Sequence, residues 1–173
     1  IDSGAPFLDV DAAVTQFTDA PERSNPLYET DRRQLNTTLN LRASTTLYSY
    51  LSDNGDPRIN KYYGVGSPNN QGDFENKATG LSLVTLNATT PVLFISKEES
   101  YFLQAEALTR YYNGTGAKAK YDSGVMAAMS RFGLDGTNFV SAGGAYEFPA
   151  TGMMAQIEAI ITQKWVASFP GNG

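Results

Sequence analysis

A chain of 173 residues, 41% of them hydrophobic, can bury one full-sized core, so the expectation is a single domain over residues 1–173, or one piece of a larger one. A formal net charge of −5 and a sequence pI near 4.7, with no basic run, argue against nucleic acid or an anionic membrane surface as a partner. Cysteine and histidine are both absent, which removes thiolate nucleophiles, imidazole bases, disulfide staples and most transition-metal sites. No cofactor, no metal and no catalytic residue are therefore expected. No apolar run approaches the roughly 18 residues that a membrane-spanning helix needs, so no transmembrane segment is expected within these residues.

The first forty residues mix turn formers (Ser3, Gly4, Pro6, Pro21, Pro26) with brief apolar groups, which predicts one short helix over residues 10–18 inside loop. Asn25-Pro26 blocks helix locally, because the residue before proline is pushed out of the α region. Ser44 is placed to cap a helix with Leu47, Tyr50 and Leu51 on one face, stopped by Asn54-Gly55. Asp53, Asn54 and Asp56 offer hard oxygen ligands but lack the alternating donors of a calcium loop. A helix C-cap followed by a new N-cap at Asp56, with Pro57 in the first turn, accounts for the same residues.

Residues 60–91 are the least regular part, punctuated by Gly64, Gly66, Pro68, Gly72 and Gly80 yet still containing Tyr62, Tyr63 and Phe74. Leu81 to Leu86 alternates weakly and has the pattern of a short strand, and residues 91–96 (PVLFIS) are β-prone. Ser96 followed by Glu99 makes a capping box for the helix that starts at Lys97.

Residues 97–132 predict two helices folded back on each other across the connector Asn113-Gly114-Thr115-Gly116. Tyr101, Ala105 and Leu108 share a face of the first helix, and Ala117, Tyr121 and Gly124 share one on the second. This small/large alternation follows a tetratricopeptide repeat, in which close helix approach demands small side chains beside an aromatic plug; a chance αα-hairpin is the alternative. Gly133 to Pro149 reads as loop. Residues 150–169 resume helical periodicity through Ile157, Ile160, Ile161 and Trp165, with Trp165 expected to pack in the core. The fold class that follows is mainly α, with tetratricopeptide-like helical hairpins, long irregular loops and little β.

Glu98, Glu99 and Glu106 have no partner base, and a solvated or N-terminal, dipole-complementing role suits them rather than acid–base chemistry. Flat aromatic rings beside amide side chains are the one credible ligand chemistry, since rings stack on sugar C–H faces or peptide side chains while amides supply directional hydrogen bonds. Tyr62, Tyr63, Asn69, Asn70 and Phe74 form the best such group, although for either tyrosine packing down to anchor a long loop is the stronger reading.

Three stretches carry a family resemblance: DPRINKYYG at 56–64; the hairpin PVLFISKEESYFLQAEALTR with AKAKYDSGVMAAMSRFG; and QIEAIITQKWVASF at 156–169. In this order, over residues 26–169, they resemble the SusD/RagB family of Bacteroidetes surface lipoproteins. The resemblance implies the C-terminal portion of a longer chain, lipid-anchored at the outer membrane, that binds glycans or, in some branches, peptides. Its partner would be a TonB-dependent, SusC-like outer-membrane transporter, to which it delivers polysaccharide without acting as an enzyme. A helical-repeat adaptor for a protein partner is the alternative from a different class, and a hydrolase using carboxylate pairs a third.

Overall fold

A computed structural model describes residues 4, 6–35, 40–73, 75 and 79–171. In chain order the elements are β1 (Ala12–Val14), α1 (Pro26–Tyr28) running into a π-helical turn (Glu29–Gln34), α2 (Thr45–Asp53), α3 (Ile59–Tyr62), β2 (Val92–Ile95), α4 (Lys97–Tyr111), α5 (Ala117–Ser130), α6 (Thr137–Val140) and α7 (Met153–Ala167). The chain is mainly α, and β1 and β2 pair as the two-stranded sheet seen among the described residues. Two compact units divide it: residues up to Ala13 together with those from Leu93 on, and Val14–Val92 between them.

The first unit is the helical one. Ser96 stands in extended backbone (φ −86°, ψ 158°) and its Oγ accepts the Glu99 N–H at 3.2 Å, satisfying one of the donors a helix start leaves unpaired. The Lys97 N–H donates to Asp11 Oδ1 at 2.8 Å. Glu99 does not complete the predicted capping box, because its carboxylate is drawn across to Lys164 Nζ on α7 at 3.1 Å. The connector reverses the chain with Asn113, Gly114 and Gly116 all at positive φ (52°, 76° and 80°), a conformation that asparagine and glycine tolerate best.

The face that α4 buries is turned by about one residue from the expectation: of Tyr101, Ala105 and Leu108 only Ala105 is buried, and Leu108, like Tyr101, is partly covered. Phe102 and Ala105 are fully buried, whereas Tyr101 is only partly covered, lying near the Lys97 and Lys120 ammonium groups at 6.0 and 5.7 Å from its ring centroid. A tyrosine keeps its polar tip in water and accepts cations on its face, so the wholly apolar Phe102 takes the core position. On α5, Ala117, Tyr121, Gly124, Val125 and Ala128 are buried. Gly124 permits this close approach: a Cβ there would stand 2.6 Å from Phe102 Cε1. The Phe102 ring meets Tyr121 edge-on at 6.2 Å, and Tyr121 meets Phe148 at 5.0 Å.

On α7 the buried stripe is Ile157, Ile160, Gln163 and Ala167. Trp165 is 43% exposed and Ile161 44% exposed, which corrects the expectation that the tryptophan packs in the core. At about 100° per residue, Trp165 falls roughly 80° round the helix from Ile157 on the side away from Ile160.

In the second unit, Asn25 caps α1 through Oδ1, accepting from the Leu27 and Tyr28 N–H groups at 2.9 and 3.2 Å, with Pro26 at the first helical position. Ser44 Oγ accepts the Leu47 N–H at 3.4 Å to begin α2, and Gly55 (φ 61°) follows its end. Asp56 accepts the Arg58 N–H at 2.9 Å and pairs with the Arg58 guanidinium at 2.6 Å, both side chains fully buried. The expected N-cap role of Asp56, with Pro57 in the first turn, is not met: α3 starts at Ile59 with Arg58 as its N-cap residue, and Asp56 shapes the turn before it.

Two sequence expectations fail here. Residues 10–18 carry strand β1 rather than a helix, and Asp11 is spent on the start of α4 and on Arg131. Leu81 to Leu86 forms no continuous strand but isolated bridges, Leu81 with Ser67, Leu83 with Arg42 and Val84 with Tyr63. These partners come from two different segments, one parallel and the others antiparallel, so no ladder can extend.

Candidate functional site

The irregular segment after α3 is held in place by backbone pairing. The Asn69 N–H donates to Ala43 O at 2.8 Å, and Asn69 O accepts the Thr45 N–H at 2.9 Å, so Asn69 lies against the start of α2. The bridge between Ser44 and Asn69 is parallel. Asn70 follows at the surface, where its Oδ1 accepts from Thr45 Oγ1 at 3.1 Å, and Asn69 Nδ2 donates to Asp73 O at 3.1 Å. Phe74 lies outside the described residues.

Tyr62 and Tyr63 are 1% and 5% exposed. Their rings meet edge-on at 6.3 Å, and Tyr63 in turn lies 5.8 Å from Tyr48, tilted by 37°. Burial pushes the Tyr63 phenol well above its ordinary value, with the neighbouring Tyr62 adding to the effect. Three tyrosines thus form a column running outward, with Tyr62 and Tyr63 inside and Tyr48 partly covered. The two tyrosines singled out in the sequence have no ring face open to a ligand in this arrangement and anchor the segment. Tyr48, on α2, is not among the residues that the sequence singles out. The pairing of Asn69 with Ser44 brings the amide-rich segment to that helix, and no spacing along the chain signals it.

In the helical unit, a cleft of about 400 Å³ lies between the start of α4 and the end of α7, with Phe102, Ile161 and Trp165 among its lining and the Glu99–Lys164 pair beside them. A more apolar groove of about 580 Å³ is lined by Phe7, Leu8, Ile95, Leu103, Ala107 and Tyr111. Asp11 and Glu98 both hold Arg131, through hydrogen bonds of 3.0 Å and of 2.9 and 2.6 Å. Burial pushes Asp11 up, but hydrogen bonds from Arg131 and from the Lys97 N–H outweigh it and leave the carboxyl below its ordinary value. Every carboxylate in this cluster is committed to a cation, which is a structural arrangement and not an acid–base pair. Among the described residues, no group of three or more Asp or Glu is placed to hold a metal ion.

A family model described as starch-binding and associating with the outer membrane matches residues 4–172. The chain belongs to the SusD-like family. Solved structures place this SusD-like chain among long relatives. A SusD homologue from Bacteroides uniformis is 22% identical with a TM-score of 0.73, covering 92% of this chain and 40% of its own. A chitin-binding SusD homologue from Flavobacterium johnsoniae is also 22% identical, with a TM-score of 0.65, covering 91% of this chain and 40% of its own. A third, from Bacteroides thetaiotaomicron, is 25% identical with a TM-score of 0.56 over 75% of this chain and 35% of its own. The SusD-like chain thus spans about two fifths of the length of such relatives. No curated protein matches it.

Proposed function

We propose that this chain is part of a non-enzymatic glycan-binding protein of the bacterial outer membrane, in which helical hairpins form the scaffold and the irregular segment of residues 64–91 carries ligand contacts. The observation that carries the reading is the family match over nearly the whole chain, to a family described as starch-binding. The chitin-binding relative supports a polysaccharide as the ligand class. The composition agrees with it: ten tyrosines, no histidine and no cysteine suit stacking and hydrogen bonding rather than bond cleavage. Capture would rest on several weak contacts acting together, each on the order of 0.5–1.5 kcal/mol.

The finer reading is that the whole protein, lipid-anchored at the cell surface, hands its ligand to a TonB-dependent, SusC-like transporter. Asn69 and Asn70 supply amide contacts in it, Tyr62 and Tyr63 hold their segment in place, and Phe74 belongs to the same segment. A peptide-binding role is the runner-up within the family. The adaptor reading draws on the exposed apolar residues Leu103, Tyr111, Met154 and Trp165, which are the kind of surface a protein partner covers.

The test is retention of the purified chain on immobilised starch and on immobilised chitin, with reducing ends assayed in parallel. Retention on at least one matrix, without release of new reducing ends, is expected. Passage through both by a chain whose circular dichroism is helical would remove the glycan reading, and release of reducing ends would make the protein a hydrolase.

A further inference from the structure

We infer that Tyr48, on the first turns of α2, is the stacking platform for a sugar ring, with Thr45 and Asn70 at its edge. This rests on the glycan-binding reading above and says where in the chain the ring is held. Three observations carry it. Tyr48 lies three residues after Thr45, so the two share a helix face, and Thr45 Oγ1 is bonded to the exposed Asn70 amide at 3.1 Å. Hydroxyl and amide groups are therefore gathered beside a ring that solvent partly reaches.

The ring is also held from behind. Tyr63 lies 5.8 Å away and is itself braced edge-on by Tyr62 at 6.3 Å, both buried. A rigid aromatic surface loses little conformational freedom when a ligand stacks on it, which is what makes such a platform effective for a weakly held sugar. Finally, Ser52, one turn on from Tyr48 along the same face of α2, is exposed and uncharged, which suits a neutral polyol. The two buried tyrosines and the amide pair thereby become parts of one structure: an inner brace, an outer ring and a polar rim.

The test uses immobilised starch and chitin as the probes. Tyr48→Ala is expected to weaken retention about 3- to 10-fold, the range of one lost aromatic contact, while Tyr48→Phe retains binding within about twofold. Trp165→Phe, in the other unit, is expected to bind like the unaltered chain. Because Tyr48→Ala also removes a neighbour of Tyr63, a second measurement uses the unaltered protein: nitration by tetranitromethane, located by mass spectrometry, with saturating oligosaccharide present or absent. Protection of Tyr48 supports the assignment. Undiminished nitration of Tyr48 under saturation, or retention of Tyr48→Ala equal to the unaltered chain, overturns it while leaving the glycan-binding reading standing. Failure of the unaltered chain to bind either matrix overturns both.

Discussion

Arg131 bridges Asp11, on the segment before β1, and Glu98, on the first turn of α4, and the three residues form the densest charge cluster of the helical unit. Glu98 is buried, so removing Arg131 takes away a cation that compensates its charge. Arg131→Ala is expected to destabilise the protein by about 3–5 kcal/mol, read as a fall in the urea midpoint. Asp11 is about one third exposed, and Asp11→Asn should cost about 1 kcal/mol or less. Its folded-state value lies below the ordinary 3.8, so its stabilising effect is present above that pH and is lost as acid protonates it. The difference in urea midpoint between Asp11→Asn and the unaltered chain should accordingly shrink as pH falls through and below about 3.8. At the neighbouring helix contact, Gly124→Ala places a methyl carbon 2.6 Å from the ring of buried Phe102. Overpacking of about 1–3 kcal/mol opposes the roughly 1 kcal/mol that alanine gains over glycine within a helix, and with three ring carbons at 2.6, 2.8 and 2.9 Å the overpacking is expected to win and the melting temperature to fall.

Among elements, α4 depends most on how it starts. Ser96 supplies the side-chain cap, Asp11 takes the next N–H and Glu98 and Glu99 complement the dipole. Ser96→Ala should cost about 1 kcal/mol in a thermal melt, and Ser96→Asp, which preserves the acceptor, should recover most of it. The α4–α5 hairpin was legible beforehand, because small residues at Ala105, Ala117 and Gly124 with turn formers at 113–116 leave few other ways to pack. The choice between Tyr101 and Phe102 was not, since both lie within one helical step and only the surrounding lysines separate them. Likewise the apolar residues of α7 cover more than half the helix circumference, so periodicity alone put Trp165 on the buried side when the packing chose the stripe through Ile160 and Gln163. The strand at Ala12–Val14 was missed because three residues are too few to display a period.

For the whole molecule, a net charge of −5 at neutral pH vanishes near pH 4.7, and solubility measured across pH should pass through its minimum there. The order of its motifs was enough to place the chain in its family and to predict a mainly helical scaffold, because helix caps, small-residue contacts and turn formers are local properties that a sequence displays directly. The ligand-facing surface is another matter. Tyr62 and Tyr63 read as the candidate rings and Tyr48 was not singled out; the structure buries the first two and leaves Tyr48 partly covered. The amide-bearing segment reaches the start of α2 through the pairing of residues 43–45 with Asn69, a contact between distant segments. Local chemistry determined what kinds of contact this protein can make; only tertiary packing decided which side chains are free to make them, because accessibility depends on neighbours that are far away along the chain.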